Sequence, residues 1–377
     1  MQSTPTIIVG AGPAGLAVAG LLRQRGRDFT LLEAGPQIAH SWRHHYDRLH
    51  LHTPKQTSQL PGFAFPPGTP TFPSRQQFVD YLEAYAKQFA LEPRLNERVT
   101  RAERVDGAWA VTTPTAQYSA NNLVVTSGLL RVPHHPTLPG EAEFGGAISH
   151  VSTYSNPSAF EGKRVLVVGF GNSAAEVALD LAERGLEVAV TVRSPCNVIP
   201  RKLMEIPPGV PRGLFVLVAR TVPRAWQDAI LRAAAKRAYG DLEPYGIEPL
   251  PYGVTSGLAR GKVPLIDVGT IDAIKSGRIT VYPALSTLTN TGASFVDGRT
   301  ARFDSVVLST GYRTGLQDFL HDSNRVLDDE GVPKTVGRES ELPGLYFVGF
   351  EVRLLGLLFT TMLDARAVAA RIAAQLA

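Results

Sequence analysis

Cysteine is nearly absent from this 377-residue sequence, which contains a single one, Cys196. One cysteine excludes an internal disulfide, a C-x-x-C redox pair and a zinc site built on cysteines. A chain without disulfides fits a reducing compartment, and we therefore expect a cytoplasmic protein. The G-x-S-x-G signature of serine hydrolases is also missing from the sequence, which argues against that class.

Charged side chains and long apolar runs are scarce as well. Only 19% of the residues are charged, the formal net charge is +4, and no long basic block is present. This pattern argues against a nucleic-acid partner and indicates mild attraction for small anions. No stretch reaches the length of a membrane-spanning helix, whereas a hydrophobic content of 44% is ample for sizeable cores. The length predicts two domains, or one large domain with an insertion.

The glycines in residues 6–33 form a recognisable pattern. A strand is predicted over residues 7–9, a helix over 16–22 and a second strand over 29–32. Between the first strand and the helix, Gly10, Gly12 and Gly15 form G-x-G-x-x-G, the pattern of a tight turn whose backbone approaches a pyrophosphate. Glu33 lies 18 residues after Gly15, where a carboxylate can bind a ribose hydroxyl. We therefore predict a dinucleotide site.

The same pattern returns in residues 165–193. Gly169, Gly171 and Ala174 form the accepted variant of the fingerprint, between a strand predicted over 165–168 and a helix predicted over 175–183. Arg193, after the next strand, takes the place that Glu33 has in the first copy. A guanidinium there binds a 2′-phosphate, which predicts a preference for NADPH over NADH. The alternative interpretation is a surface arginine at the end of a strand.

Two sites with opposite charge at the ribose end imply two nucleotides. The economical pairing is FAD on the first copy and NADPH on the second, because a flavin can take the hydride of a nicotinamide and use it in separate chemistry. The absence of C-x-x-C excludes the disulfide reductases. Oxygen chemistry and electron transfer to a partner protein stay open.

We predict an α/β fold with two dinucleotide-binding, Rossmann-like domains, the NADPH domain being inserted into the FAD domain. The predicted FAD domain comprises residues 1–160 and 299–377, and the NADPH domain comprises 161–298 with a helical insertion at about 200–260. A basic amphipathic helix is predicted over 214–238. Such a helix more often covers a groove or contacts a partner subunit than lies on a membrane, so we expect no membrane contact. A homo-oligomer is compatible with this prediction. A final helix is predicted from about Met362 to Leu376.

The loop over residues 40–73 is rich in histidine, proline and aromatic residues, a composition that favours a role beside a site. Five histidines lie between His40 and His52. No acidic or cysteine partner completes a set of ligands in this loop, so we predict no metal. A helix with an apolar stripe for the core is predicted over 75–89.

A specific motif precedes the second glycine turn. Phe144, Gly146, His150 and Tyr154 match the F-x-G-x-x-x-H-x-x-x-Y/F identifier of class B flavin monooxygenases. Further stretches resemble the plant YUCCA-type branch of that family. They are residues 41–56, 77–82, 169–173, 192–194 and 345–350, so the resemblance covers nearly the whole chain.

The resemblance implies an FAD-dependent NADPH monooxygenase, in which reduced FAD reacts with oxygen to form a flavin hydroperoxide that oxygenates a small organic substrate. In the YUCCA branch the substrate is a 2-oxo acid, indole-3-pyruvate, which loses carbon dioxide on oxygenation. A 2-oxo acid or ketone is therefore the leading substrate class. The alternatives are N- or S-oxygenation, and an NADPH flavin oxidase or reductase that passes electrons to oxygen or to a partner protein.

The resemblance also implies site residues. His52, which stands where amine-oxidising members generally carry asparagine, is the predicted catalytic residue. Residues 352–359 depart from the glycine-rich segment of the branch. Arg43 and Arg48 are candidates to receive a substrate carboxylate, or else form structural ion pairs. The predicted cofactor-binding residues are Gly10, Gly12, Pro13, Ala14, Gly15, Glu33, Ser41, Trp42, Thr53, Ser127, Gly349, Gly169, Gly171, Asn172, Ser173, Ala174, Ala175, Glu176 and Arg193.

Overall fold

The computed structural model describes residues 1–207 and 209–375. Pro208, in the predicted insertion, and Leu376 and Ala377, at the predicted end of the last helix, lie outside the described residues. The chain divides into two compact units. Unit 1 comprises residues 1–44, 53–132 and the chain from Tyr312 onward, and unit 2 comprises residues 45–52 and 133–311. Residues 133–160 and 299–311, predicted for the FAD domain, thus belong to unit 2.

Strands and helices are numbered along the chain. The strands in the described residues are β1 (Gln2–Val9), β2 (Thr30–Leu32), β3 (Arg101–Val105), β4 (Ala108–Thr112), β5 (Gln117–Val125), β6 (Val132–Pro133), β7 (Ala147–His150), β8 (Val165–Val168), β9 (Val188–Thr191), β10 (Val198–Pro200), β11 (Leu265–Asp267), β12 (Ile279–Tyr282), β13 (Leu285–Thr289), β14 (Gly292–Phe295), β15 (Thr300–Arg302), β16 (Ser305–Leu308), β17 (Tyr312–Arg313) and β18 (Leu345–Phe347).

The α-helices in the described residues are α1 (Pro13–Gln24), α2 (His40–Arg43), α3 (Lys55–Ser58), α4 (Arg75–Gln88), α5 (Asn172–Glu183), α6 (Arg212–Thr221), α7 (Arg224–Tyr239), α8 (Val254–Leu258), α9 (Thr270–Lys275), α10 (Ser323–Val326) and α11 (Leu357–Gln375). Short 3₁₀ turns occur at Glu141–Glu143, Val151–Thr153, Pro157–Phe160, Arg201–Met204, Glu243–Tyr245 and Leu316–Asp318.

Unit 1 contains a sheet in the order β2-β1-β5-β4-β3, and β18 also pairs with β5. The pairs β1·β2, β1·β5 and β18·β5 are parallel, whereas β3, β4 and β5 form an antiparallel meander. The register places Val9 beside Leu32 and Val125, and Phe347 beside Val125. The carboxyl ends of four parallel strands therefore meet at one edge, which is where α/β sheets bind ligands.

Unit 2 contains a fully parallel sheet in the order β12-β9-β8-β16-β7. Val168, Leu308 and His150 lie side by side at its carboxyl edge. An antiparallel β13-β14-β15 sheet and a parallel β10-β11 pair complete the strands described in this unit. The second glycine turn, after β8, and Arg193, after β9, thus follow neighbouring strands.

Each unit has its own core. In unit 1 the fully buried Trp109 packs with Ile7 and Phe347, and its indole N–H donates to the carbonyl oxygen of Pro343 at 3.0 Å. In unit 2 a buried cluster that includes Leu166 packs against the antiparallel sheet. The buried residues of β1 in unit 1 and of β8 and β16 in unit 2 are mostly valine, isoleucine and leucine, as expected for parallel strands covered on both faces.

Two helix predictions are wrong in their bounds. The helix predicted over 214–238 is two helices, α6 and α7, because Pro223 has no N–H to donate and its ring is incompatible with a helix interior. The last helix begins at Leu357 rather than Met362, because residues 357–361 contain no glycine or proline, whereas Gly356 has a φ of +91° that is not helical. The strands and helices predicted for both glycine fingerprints are confirmed, as is the helix that begins at Arg75.

Candidate active site

The first glycine turn joins β1 to α1. Gly10 has a φ of +109°, which L side chains rarely adopt. A Cβ on Gly15 would lie 1.8 Å from the carbonyl oxygen of Gly10, so only glycine lets the helix pack against the turn. A Cβ on Gly12 would meet no atom within 4 Å. The space beside Gly12 is open at the start of α1, where Pro13 and the buried Ala14 form the first turn.

Glu33 fixes this turn from the end of β2. Its exposed fraction is 9%. Oε2 accepts a hydrogen bond from the Ala11 N–H at 2.7 Å, and Oε1 accepts one from the Gly35 N–H at 2.8 Å. Each carboxylate oxygen has room for a second hydrogen bond. The carboxylate therefore shapes the turn and keeps acceptors for the hydroxyls of a ribose.

The segments after β5 and β18 lie at the same edge. Thr126 donates its hydroxyl to the carbonyl oxygen of Val9 at 2.7 Å. Ser127 Oγ is buried and has no hydrogen-bond partner among the described residues. Gly349 has a φ of +84°, and a Cβ on it would lie 3.1 Å from the Cβ of Ala14. The edge thus contains a buried hydroxyl that a ligand can satisfy.

Asp364 supports Gly349 from α11. It is 6% exposed, and the Gly349 N–H donates to its carboxylate. The other carboxylate oxygen has no partner within the part of the chain that the structure describes. Burial raises the pKa of Asp364 to about 6. Sequence reasoning missed this residue, because an aspartate inside a helix is usually exposed and nothing in the local pattern distinguishes this one.

The loop after β2 contributes Ser41, Trp42 and Thr53. Ser41 is exposed and Trp42 is half-buried, both on the short helix α2, whereas Thr53 is buried just before α3. The N–H of Ala39 donates to the carbonyl oxygen of Ala11 at 3.1 Å. This bond holds the start of α2 beside the first glycine turn.

The second glycine turn joins β8 to α5 in unit 2. Gly169 has a φ of +119°, and a Cβ on it would lie 2.6 Å from the carbonyl oxygen of Ser309. Its N–H donates to the hydroxyl of Thr191 at 2.9 Å. A Cβ on Gly171 would meet no atom within 4 Å. Like Gly12 in the first turn, Gly171 therefore borders open space at a helix N-terminus.

The residues in the first turn of α5 differ in their contacts and in their exposure. The Asn172 side chain donates to the carbonyl oxygen of Pro264 at 3.1 Å and accepts from the Ile266 N–H at 2.7 Å, so it ties the start of α5 to the segment around β11. Ser173 is half-buried, and Ala174 and Ala175 are buried against the rest of unit 2. Arg193 is exposed shortly after β9.

His52, the predicted catalytic residue, lies against Glu176 in unit 2. Its Nε2 forms a hydrogen bond with Oε1 of Glu176. The Glu176 residue is 3% exposed and the His52 side chain 20%. A buried carboxylate needs such a partner, because its desolvation is otherwise costly. Because a carboxylate oxygen accepts, Nε2 of His52 donates in this bond, and Nδ1 is the ring nitrogen left to meet another molecule.

The same face of α5 binds two further side chains of unit 2. Asp180 accepts a hydrogen bond from the Tyr154 hydroxyl at 2.7 Å, and burial raises the pKa of Tyr154. Glu183 pairs with Arg48 at 2.5 Å, and Arg48 lies 3.7 Å from Asp180. Positions 176, 180 and 183 follow the i, i+4, i+7 spacing of one helix face. Residues 45–52 are therefore bound to α5 through the side chains of Arg48 and His52.

The two loop arginines already have acidic partners. Arg43 pairs with Glu83 in unit 1, and Arg48 pairs with Glu183 in unit 2. Of the two interpretations given above, the structure supports structural ion pairs. Each guanidinium already has a carboxylate within ion-pair distance, so a substrate carboxylate would have to share or displace that partner.

The identifier motif has structural roles in unit 2. A Cβ on Gly146 would lie 2.7 Å from the ring of Phe144, so glycine permits this packing. The buried His150 accepts from the Ser152 N–H at Nδ1, at 3.1 Å, and donates from Nε2 to the carbonyl oxygen of Gly311 at 3.2 Å. Burial lowers the pKa of His150, which keeps the ring neutral in this arrangement.

The sequence matches known families over most of its length. The model of the pyridine nucleotide-disulphide oxidoreductase family matches residues 7–205. Indole-3-pyruvate monooxygenase YUCCA8 of Oryza sativa subsp. indica is 40% identical over 369 residues, which cover 93% of this chain and 87% of that protein. The chain therefore belongs to the YUCCA family of flavin monooxygenases. YUCCA1 of Oryza sativa subsp. japonica, also an indole-3-pyruvate monooxygenase, is 39% identical over 94% of this chain and 88% of its own.

The fold of this YUCCA-family chain is that of flavin monooxygenases. A flavin-containing monooxygenase from Stenotrophomonas maltophilia superposes with a TM-score of 0.75 at 21% identity, and 100% of each chain is covered. The predicted α/β fold and the predicted resemblance are thus confirmed. Family membership also confirms a flavin-dependent monooxygenase that uses FAD and NADPH and acts on a small substrate.

The described residues also bear on membrane insertion and on metal binding. No helix within residues 1–207 and 209–375 is long and apolar enough to cross a membrane. Within the same ranges, no group of three or more His, Cys, Asp or Glu side chains is placed to hold a metal ion.

Proposed function

We propose that this YUCCA-family enzyme oxygenates a 2-oxo acid, with indole-3-pyruvate as the leading candidate, and releases the carboxylic acid that is one carbon shorter. The observation that supports this proposal is the 40% identity, over 93% of the chain, with a relative named indole-3-pyruvate monooxygenase. The balanced reaction consumes the 2-oxo acid, oxygen, NADPH and a proton, and yields the shorter acid, carbon dioxide, NADP⁺ and water. Bound FAD supplies the redox chemistry between NADPH and oxygen.

We assign FAD to unit 1. Two features fit this cofactor: the open space beside Gly12 at the start of α1, and the buried hydroxyl of Ser127 that lacks a partner among the described residues. The N–H groups of the first helical turn would bind the pyrophosphate, and Glu33 would bind the ribose. The segments that carry Ser41, Trp42, Thr53 and Gly349 would surround the rest of the cofactor.

We assign NADPH to unit 2. The open space beside Gly171 at the start of α5 fits a pyrophosphate, and the exposed Arg193 fits a 2′-phosphate. Residues 133–311 of unit 2 lie between two segments of unit 1 in the sequence. This division supports the proposed arrangement of an NADPH domain inserted into an FAD domain.

His52 is the group of this chain that we assign to proton handling beside the reacting atoms. Glu176 holds the imidazole through Nε2 and so determines where the ring points. The other nitrogen, Nδ1, is then available to accept a proton or a hydrogen bond from a bound molecule. Glu176 serves this role as a positioning residue.

Product identification tests the proposed function. The purified holoenzyme is incubated with NADPH and a panel of aromatic 2-oxo acids, amines and sulfides, and the products are identified by mass. We expect indole-3-pyruvate to give the acid that is one carbon shorter, with one oxygen atom from ¹⁸O₂. NADPH oxidation without substrate should be slow, and release of hydrogen peroxide should fall when the substrate is added.

Two outcomes would overturn the proposal. Failure on every 2-oxo acid together with oxygenation of a sulfide or an amine would assign the enzyme to S- or N-oxygenation. Stoichiometric peroxide under all conditions would identify an NADPH oxidase instead.

We also propose that the enzyme is cytoplasmic and that it forms a homo-oligomer. The single cysteine supports a reducing, cytoplasmic environment. A homo-oligomer would cover exposed apolar side chains such as Trp226 and Ile230 on α7, and light scattering of the purified enzyme would detect it.

A further inference from the structure

A cavity of about 540 Å³ lies in unit 2, between α7, β10 and residues 240–254. This volume falls within the range of roughly 300–1,000 Å³ that small-molecule pockets occupy. The described residues that line it include none of the predicted nucleotide-binding residues and not His52. The cavity is therefore distinct from the residues assigned to the monooxygenase reaction.

Apolar side chains form most of the wall. Leu231 and Ala235 lie one turn apart on α7, and the buried Val198 and Ile199 of β10 also line the cavity. The lining residues Leu231, Leu242 and Leu250 are only half-buried. An apolar ligand would remove the remaining surface of these leucines from water, which is favourable by about 25 cal/mol per Å².

Polar side chains inside the wall already have partners. Asp228 accepts hydrogen bonds from the N–H and the hydroxyl of Thr255 at 2.6 and 2.7 Å and from the hydroxyl of Ser256 at 2.5 Å. Tyr239 donates its hydroxyl to Asp267 at 2.9 Å. These groups are satisfied without a ligand, so a polar ligand would gain little from them.

Charges at the mouth of the cavity are of both signs. Arg232 and Lys236 are exposed one turn apart on α7, and Asp241 and Glu243 are exposed on the following segment. A mixed rim in water gives no strong preference for an anion or a cation. The charge distribution therefore does not select an ionic ligand.

We propose that this cavity is a second small-molecule site of the enzyme, and that it takes an uncharged, mostly apolar ligand. An apolar ligand fits because most of the lining side chains are apolar, three leucines keep surface that a ligand can cover, and the polar groups of the wall already have hydrogen-bond partners. A site of this kind lets an apolar compound bind the enzyme without competing with either nucleotide.

Cys196 provides a reporter for the site. It is half-buried in the wall of the cavity, and it is the only cysteine in the chain, so any thiol adduct identifies it. Burial raises the pKa of its thiol to about 11, which makes alkylation slow enough to follow by intact-protein mass.

Nile red, an uncharged apolar dye, is the probe. The FAD-loaded full-length enzyme is titrated with the dye, and fluorescence is recorded together with the rate at which N-ethylmaleimide alkylates Cys196. Ala235→Trp fills the cavity from α7. Ala233→Trp is the matched control, because Ala233 is exposed on the same helix and does not line the cavity.

We expect saturable binding of one dye, at least tenfold weaker in Ala235→Trp and unchanged in Ala233→Trp. Bound dye should slow alkylation of Cys196 in the unmodified enzyme by at least threefold, and this measurement stands even if Ala235→Trp fails to fold. The proposal is overturned if the two variants bind the dye equally, if the dye does not protect Cys196, or if NADP⁺ displaces it.

Discussion

The Nε2 atom of His52 is hydrogen-bonded to Oε1 of Glu176, although the two residues are 124 positions apart in the chain. Glu176 lies in the second turn of α5, the helix that follows the second glycine turn. The imidazole that we assign to proton handling is therefore positioned by the helix that we assign to NADPH. A change in that helix is expected to move the ring as well.

Replacement of His52 tests its assignment. We expect His52→Ala to lower product-forming turnover by about 10²-fold or more, the usual cost of losing a general acid or base, with the FAD content unchanged. Turnover and product yield per NADPH are the measurements. His50→Ala is the control, because His50 is exposed and its Nδ1 bonds only the nearby carbonyl of Arg48 among the described residues. Equal turnover in the two variants would remove His52 from the mechanism.

Two alanine substitutions in the first glycine turn should have different effects, one on the stability of the apoprotein and one on FAD affinity. A Cβ on Gly15 meets the carbonyl oxygen of Gly10 at 1.8 Å, so Gly15→Ala should destabilise the apoprotein by about 1–3 kcal/mol or more. A Cβ on Gly12 meets nothing within 4 Å, so Gly12→Ala should keep the apoprotein stable and lose FAD affinity instead. Thermal unfolding without FAD and flavin titration separate the two effects. Wild-type FAD affinity in Gly12→Ala would refute the placement of the pyrophosphate.

Arg193 decides between the two forms of the nicotinamide nucleotide. Loss of a charge-assisted hydrogen bond to the 2′-phosphate costs about 1.5–3 kcal/mol, so Arg193→Ala should raise the KM for NADPH by about 10- to 150-fold. The KM for NADH should hardly change. Arg184→Ala, which removes an exposed arginine at the end of α5, serves as the control. An unchanged ratio of the two KM values would show that Arg193 is a surface residue without this role.

Asp364 should make stability depend on pH. Its pKa is about 6 in the folded protein and 3.8 in the unfolded chain, so the folded state binds more protons between these values and stability falls as the pH rises through this window. The loss amounts to roughly 2 kcal/mol between pH 4 and pH 7. Asp364→Asn removes this titration, so its free energy of unfolding relative to wild type should increase over that range.

Urea unfolding at a series of pH values measures the effect of Asp364→Asn. Asp329→Asn, which changes an exposed carboxylate, should give a constant difference from wild type. A constant difference for Asp364→Asn as well would mean that the Asp364 carboxyl is not perturbed in the folded state.

The local patterns were enough to predict the two βαβ segments. Gly10 needs a positive φ, Gly15 needs to lack a Cβ, and Gly12 leaves open space at the start of α1, and the G-x-G-x-x-G spacing between an apolar run and a periodic segment shows these positions in the sequence itself. Pro223 is equally visible in the sequence, yet the apolar and basic pattern on both sides of it predicts one helix where the structure has two. The error came from giving periodicity more weight than the missing N–H of proline.

Contacts between distant residues could not be predicted. Asp364 reaches the Gly349 N–H from α11, and Thr126, which follows β5, supports the first turn from 117 residues along the chain. The pairing of Arg48 with Glu183 joins residues 135 positions apart. No pattern within a short window encodes such pairs, because they depend on the packing of the whole unit.

The segment 45–52 also has a consequence for how the chain folds. It belongs to unit 2, yet residues of unit 1 flank it on both sides, and its anchors on α5 are made by residues 176–183. During synthesis, more than a hundred further residues must be added to the chain before the residues of α5 that bind this segment are present. Closing such a long loop is slow, so the loop that carries His52 is expected to be among the last parts of the enzyme to reach its final conformation.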